Sequence, residues 1–536
     1  MEKWWRDEVI YQIYPMSFCD TNGDGVGDIP GIISKLDYLK SLGVGVLWLS
    51  PVYRSPNEDN GYDISDYLDI DPRYGTLADM DRLIAEAKAR GIRIIMDLVV
   101  NHTSSEHEWF QKSRERIEPY TDYYIWRKGK GKRKPNNWSG FFGGSVWEYD
   151  DLRQEYYLHL FAKGQPDLNY YNPVVIAEVK KLMRFWLDRG VSGFRCDVIN
   201  ILYKDSLKNG RPLPALCGAE HYLSTDGTHR ILQELRRDVL SQYDCFTVGE
   251  CVLITPKVAK DLTHENRGEL DMVFSFEHMD ADNILIKWFH RRFRPKRLYK
   301  AFAKWQKELE WNTIYLENHD QPRSVSRFGA SGEYYDRSCK ALAVLLMTLR
   351  GTPFVFQGEE LGMTNFDFTS MDQIMDVESH NVDKVLKKMG FSAKVRWRKM
   401  RYASRDNART PMQWNGRDGA GFTSGTPWLG INSNHVTINA EDEDKNPDSV
   451  LNFYRRLTAF RNESEALKSG SFRCTIMNNR VFAFERRVKD DALGIAVNLS
   501  PKTVNLPSVG KVLLSNTGRE VMDCQLQPYE AVIMQR

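Results

Sequence analysis

Eight short, β-rich apolar runs recur along the chain: Val9–Tyr14, Val46–Leu49, Ile92–Val99, Val191–Val198, Cys245–Gly249, Met272–Phe276, Thr313–Glu317 and Thr352–Gln357. Amphipathic stretches lie between most of them. Asp79–Arg90 sets Met80, Leu83, Ile84 and Ala87 on one face at helical spacing, with Thr76 ahead as a cap and Gly91 as the stop. Val175–Arg189 does the same with Val175, Val179, Leu182 and Trp186, and Gly190 ends it. Alternation of strand and helix predicts a parallel sheet. Eight repeats predict its closure into a (β/α)8 TIM barrel, an α/β fold.

Two regions break the alternation. Residues 103–172 are aromatic, rich in Gly and Asn, and too long for a strand-to-helix loop, so they read as a small inserted domain. From about residue 467 helical periodicity stops, Val481–Arg486 alternates, and Ala531–Met534 reads as a last strand. The expected organisation is a barrel over 1–102 and 173–466, an inserted domain over 103–172, and a C-terminal antiparallel β-sandwich over 467–536.

Composition narrows the partners. The 536 residues are 42% hydrophobic and 27% charged, with a net charge of only +2, so no polyanion or nucleic-acid partner is expected. The short basic run Lys128–Lys134 reads as a solvated loop. The N-terminus lacks the apolar core of a secretory leader, and no apolar run approaches the ~20 residues of a membrane helix. Eight cysteines, Cys19, Cys196, Cys217, Cys245, Cys251, Cys339, Cys474 and Cys524, follow no pairing or metal spacing and read as free thiols in a reducing cytoplasm. A monomer acting on a small molecule is expected.

In a barrel of this kind, functional groups sit where strands end. Strand three ends Asp97-Leu-Val-Val-Asn101-His102, strand four Gly193-Phe-Arg195-Cys-Asp197, strand five Thr247-Val-Gly249-Glu250, and strand seven Glu317-Asn318-His319-Asp320. Any single Asp or Asn there is equally well a helix cap. Arg195 and His102 cap no helix, and the joint pattern argues for a site. A second signal is Asp20-Thr-Asn22-Gly-Asp24-Gly25-Val26-Gly-Asp28. Asp20, Asn22, Asp24 and Asp28 fall at positions 1, 3, 5 and 9, the Val26 carbonyl at 7, and a glycine at 6, which predicts a structural Ca2+ or Mg2+ site. Position 12 is Gly31, so it is not an EF-hand, and a Gly/Asp turn without metal is the alternative.

The segments DLVVNH (97–102), GFRCD (193–197), VGE (248–250) and ENHD (317–320), taken in order, resemble the four sequence regions of the α-amylase superfamily, glycoside hydrolase family 13. QPDLN (165–169) and NGYDISDY (60–67) resemble its oligo-1,6-glucosidase and dextran-glucosidase branch. The resemblance implies a retaining, exo-acting α-glucosidase with Asp197 as nucleophile, Glu250 as general acid/base and Asp320 as a transition-state stabiliser. Arg195 is expected to hold Asp197 ionised. His102, His319 and Gln165 join the substrate-binding set. Asp59 and Tyr62 resemble the clamp and stacking aromatic at the non-reducing end, with Arg405 the expected partner of Asp59 and Arg409 the lesser candidate. Phe142 and Phe161 either line the pocket or fill the inserted domain's core.

Linkage rests on Val198, the residue the α-1,6-preferring branch carries after the nucleophile. An α-1,4-glucosidase, a sucrose isomerase and a transglycosylase on the same scaffold remain the alternatives. A catalytically silent transporter partner would need a membrane anchor and would lack the acidic set. Cys251-Val252-Leu253 and Phe366–Lys388 depart from the family pattern, and Tyr203–Gly227 resembles an entrance-narrowing loop.

Overall fold

The computed structural model describes residues 3–131, 133–213, 215–284 and 286–536. Lys132 of the basic run and Pro214 of the long segment after strand four lie outside them. The eight runs form one parallel sheet: β1 Ile10–Ile13, β2 Val46–Leu49, β3 Arg93–Leu98, β4 Gly193–Cys196, β5 Phe246–Glu250, β6 Met272–Phe274, β7 Thr313–Ile314 and β8 Thr352–Phe356. Their order is β6-β5-β4-β3-β2-β1-β8-β7. Nearly every strand residue is buried, as both faces of an all-parallel sheet must be.

β6 and β7 are shorter than the apolar runs that contain them. The seam between them closes through side chains: the Thr313 hydroxyl donates to the Val273 carbonyl at 3.0 Å, and the Tyr315 hydroxyl to the Ser275 carbonyl at 2.8 Å. Helices form where the caps lie. Leu77–Ala89 starts at Thr76, whose hydroxyl and the Asp79 carboxylate satisfy each other's backbone N–H. Pro173–Asp188 starts at Asn172, whose side chain accepts from the Val174 N–H.

Between β3 and β4 lies a small three-stranded antiparallel sheet of Trp126–Arg127, Trp147–Asp150 and Glu155–Leu158. An antiparallel bridge of His102 to Asp167 brings the start and end of this insertion side by side. The core of the insertion, with Trp138, Trp147 and Leu160, continues into Ile201, Ala219 and Tyr222 after β4. Tyr203–Gly227 is therefore packed against the insertion, with the Trp138 indole donating to the Lys208 carbonyl at 2.8 Å.

The C-terminal strands Ser471–Met477, Val481–Val488, Asp491–Asn498, Val504–Ser515, Val521–Leu526 and Ala531–Gln535 are all antiparallel and hydrogen-bonded in one continuous order. A bulge in the long strand Val504–Ser515 lets it pair Val521–Leu526 through its first part and Ala531–Gln535 through its last. One face, with Phe482, Phe484 and Ile495, joins the barrel core. On the other side, Leu506, Met522 and Leu526 share a separate buried core with Val481, Ala496 and Val532, so the last hairpin strands fold over the sheet. Among the described residues no helix is long and apolar enough to cross a membrane.

The register of β3 on β4 pairs Asp97 with Arg195, and that of β4 on β5 pairs Arg195 with Val248. Gly193 makes this close approach possible. Its φ is +145°, and a Cβ there would stand 2.0 Å from the Phe246 carbonyl oxygen. Gly193→Ala is expected to cost about 2–4 kcal/mol of stability, read as a lowered denaturation midpoint at unchanged m-value. An unchanged midpoint would show that β4 tolerates a side chain at this position.

Candidate active site

The C-terminal ends of the strands deliver their polar residues to one rim, as barrels do. A cavity of about 580 Å³ opens there, lined among others by Asp59, Tyr62, His102, Phe142, Phe161, Gln165, Asp197, Val198, Glu250, Asp320 and Arg405. Arg195 and His319 stand directly behind that lining.

One guanidinium organises the catalytic end. Arg195 Nη1 donates to Asp97 and, at 2.6 Å, to Asp197 Oδ1, while Nη2 donates to Glu250 Oε2 at 2.5 Å. Asp197 and Glu250 are also within hydrogen-bonding reach of each other. Two carboxyls held on one guanidinium suit the short separation of a retaining glycosidase, whereas an inverting enzyme spaces its pair to seat a water between them.

The electrostatics refine the sequence reading of Arg195. Its charge is shared among three carboxyls, so burial outweighs its attraction and Asp197 is raised to about 6. Glu250 goes further, to about 8, because burial is reinforced by the negative charges of Asp197 and Asp320. Asp97 is raised to about 6, again chiefly by burial. Between those values Asp197 is a carboxylate and Glu250 a carboxylic acid. These are the two protonation states that a nucleophile and a proton donor need. Asp320 behaves oppositely. Burial alone would raise it, but His319, Arg405 and Arg409 together hold it well below the usual carboxylate range.

The far end of the cavity is closed. Arg405 Nη2 stands 3.2 Å from Asp59 Oδ1, and the Gln165 amide donates to Asp59 Oδ2 at 3.2 Å. Arg409 lies elsewhere, on Asp320 Oδ1 at 2.7 Å. Tyr62 lies parallel to His319, with its hydroxyl 2.8 Å from His319 Nε2. His319 is neutral, since burial drives its pKa down to about 3. The His102 ring packs against Phe161 at 5.1 Å, and Phe142 meets Phe161 edge-on at 5.7 Å. Both aromatics line the cavity, and Phe161 also packs against the core of the insertion. Val198 also lines it, held at φ 36°, ψ 40°, a left-handed conformation that β-branched residues rarely adopt.

Several residues escaped the sequence reading. Asp376 caps the helix Val377–Lys388 and also accepts from Arg405 Nε at 2.8 Å, so the atypical segment 366–388 anchors the closing arginine. From the same helix Glu378 pairs with Lys287 at 2.6 Å, and both face the cavity. An acid at a helix start was the available signal, but it pointed equally to capping. The departing loop after Glu250 contributes Val252, Leu253 and Ile254 to an apolar wall with Phe276.

The Asp20–Asp28 loop lies away from this cavity. Asp20 accepts from the backbone N–H of Asn22, Gly23 and Gly25 and from the Thr423 hydroxyl. Asp24 accepts from the Val26 N–H, and Asp28 from Thr21 and from Gly31 at the start of a helix. Among the described residues no three His, Cys, Asp or Glu side chains converge as a metal centre. Counting the Asn22 amide and the Val26 carbonyl, the donors are all oxygens, the chemistry that hard divalent cations take.

Comparison with known proteins follows the same lines. A family model described as alpha amylase, catalytic domain, matches residues 12–470. The oligo-1,6-glucosidase of Parageobacillus thermoglucosidasius is 48% identical, with 98% of each chain covered. The glucan 1,6-alpha-glucosidase of Streptococcus pneumoniae is 44% identical, covering 99% of this chain and 98% of its own. The crystal structure of the trehalulose synthase of Pseudomonas mesoacidophila matches with a TM-score of 0.96 at 40% identity, covering 100% of both chains.

The paired pKa values predict a bell-shaped kcat/KM. Activity should fall below about 6, where Asp197 takes up a proton, and above about 8, where Glu250 loses its own. Glu250→Gln should abolish the alkaline limb and lower kcat by roughly 10²–10⁴ for a substrate with a poor leaving group. A variant that keeps the alkaline limb would remove Glu250 from the acid role.

Proposed function

The chain belongs to the α-amylase family, and we infer that it is a retaining α-glucosidase that removes single glucose units from the non-reducing ends of isomaltose and short isomalto-oligosaccharides. The observation that carries this reading is the closed end of the cavity. Arg405 and Gln165 both bind Asp59, and the three line the cavity that also holds the catalytic carboxyls, so a terminal sugar seated there meets a polar wall where a longer chain would have to continue.

The chemistry follows from the two carboxyls. Glu250 donates its proton to the glycosidic oxygen as that oxygen parts from the anomeric carbon. The Asp197 carboxylate attacks the same carbon from the opposite face, forming a glucosyl ester. The leaving sugar departs, and water takes its place. Glu250, now a carboxylate, removes a proton from that water, which displaces Asp197 and releases α-glucose. Asp320 stays ionised throughout and favours the positive charge that develops on the sugar ring.

The α-1,6 preference is supported by Val198 and by the relatives that carry that activity in their names. A smooth apolar side chain suits the flexible α-1,6 leaving group and offers no hydroxyl to an α-1,4-linked one. Isomaltose should be hydrolysed faster than maltose. Val198→Thr should raise kcat/KM for maltose relative to isomaltose by about 1–3 kcal/mol at most. Faster wild-type hydrolysis of maltose would move the assignment to an α-1,4-glucosidase. A second reading, sucrose isomerisation, shares the first step and differs in whether the released sugar re-attacks. Its support is the structural likeness to trehalulose synthase. Product analysis on sucrose separates the two.

We further propose that Asp20, Asn22, Asp24, the Val26 carbonyl and Asp28 hold one structural Ca2+ or Mg2+. Bound there, it would cross-link the loop to the helix that Asp28 caps and take no part in the chemistry. Calcium at 100 times its Kd should stabilise the fold by about 2.7 kcal/mol, and chelation should lower Tm accordingly with the initial rate at 25 °C unchanged. Equal Tm in calcium and in chelator would remove the site. Eight free cysteines, two of them exposed, support a reducing compartment such as the cytoplasm.

A further inference from the structure

Lys204 looks from the sequence like part of an exposed loop, but the structure buries it completely, beside an equally buried Asp167. Its ammonium has three donors and no acceptor. Nζ stands 2.6 Å from Asp167 Oδ2, 2.9 Å from Asn101 Oδ1 and 3.2 Å from the Leu202 carbonyl, so every donor is occupied.

This geometry propagates to the active site. An ammonium accepts nothing, so the Asn101 amide atom that faces it must be the oxygen. The amide nitrogen then points the other way, to Asp167 Oδ2 at 3.2 Å and His102 Nδ1 at 3.3 Å. His102 Nδ1 receives a hydrogen bond and therefore bears no proton. Burial keeps the ring neutral, so its one proton sits on Nε2, which donates to the Tyr62 carbonyl at 3.1 Å. The Gln165 amide nitrogen, 3.2 Å from that N–H, is left to donate to Asp59 and to the Tyr62 carbonyl.

We propose that Lys204 is a positioning residue for the reaction: through Asn101 it fixes His102 in the Nε2–H tautomer, so that a donor faces the sugar bound at the closed end of the cavity. The donor is set before substrate arrives. A sugar hydroxyl can share Nε2–H with the Tyr62 carbonyl while giving its own proton to Asp59, which closes the polar contacts around the terminal glucose. The identity of that sugar rests on the function proposed above; the tautomer does not.

The test is 15N NMR of histidine-labelled enzyme without substrate, with the His102 signals assigned by their loss in His102→Gln. Wild type should show a bare Nδ1 and a protonated Nε2. Lys204→Met combined with Asp167→Asn removes both buried charges together, so neither is left unpaired. In that variant the Asn101 amide is free to turn, the Nδ1–H form should become populated, and kcat/KM on isomaltose should fall by roughly 10-fold or more. Asn101→Asp, which offers only acceptors, should force the Nδ1–H form with Lys204 in place. A wild-type spectrum with the proton on Nδ1 overturns the proposal without any variant having to fold. A double variant that keeps Nε2–H overturns it as well. A correct tautomer in an enzyme that ignores isomaltose would leave this proposal standing and remove the substrate assignment instead.

Discussion

Arg195 is one buried guanidinium shared by three carboxyls, Asp97, Asp197 and Glu250. Strand register makes the sharing unavoidable, because β3 and β4 set Asp97 and Arg195 directly opposite each other. The planar guanidinium presents its N–H donors in one fixed fork, so each carboxyl is held in a set direction; a lysine ammonium would offer a point charge without that fixed plane. With three acids against one base, burial keeps the carboxyl pKa values high, and near neutral pH the group that holds its proton is the one with the highest value, Glu250. The arrangement that makes these charges costly to bury is thus the arrangement that supplies a proton donor beside an ionised nucleophile.

A second ionic layer keeps the first from failing. Arg405 and Arg409 converge on Asp320 and hold it ionised, so it does not compete with Glu250 for the proton. Arg405 is in turn fixed by Asp376 and by Asp59. The same residue therefore pairs with Asp59 at the cavity wall and holds Asp320 ionised, which in the proposed function couples chain selectivity to the chemistry through one side chain.

The barrel was legible in the sequence because parallel strands buried on both faces leave near-continuous apolar runs. Strand ends were less so. β6 and β7 are cut short where Thr313 and Tyr315 spend their hydroxyls closing the seam, a tertiary event without local signal. The catalytic acids stood out because polar residues closing apolar strands are hard to explain otherwise. Asp97 passed as a strand residue, since only register reveals that it draws on the charge of Arg195. Lys204 passed as a loop lysine, because burial of a charge depends on the partner it finds, and Asp167 lies in another segment. Asp376 and Glu378 were hidden at a helix start, where an acid reads as a cap, and the role of Asp376 in seating Arg405 is visible only in three dimensions.

The central claim is that Arg195 holds Asp197 and Glu250 close enough for a covalent glucosyl intermediate. The anomeric form of the first-released glucose reports on that spacing directly, because two displacements at one carbon restore its configuration and one inverts it. Proton NMR during the first minutes of isomaltose hydrolysis should show the α-anomer appearing first and the β-anomer growing only by mutarotation. Initial release of β-glucose would mean a single displacement by water, and the account of the clamped carboxyl pair would be wrong.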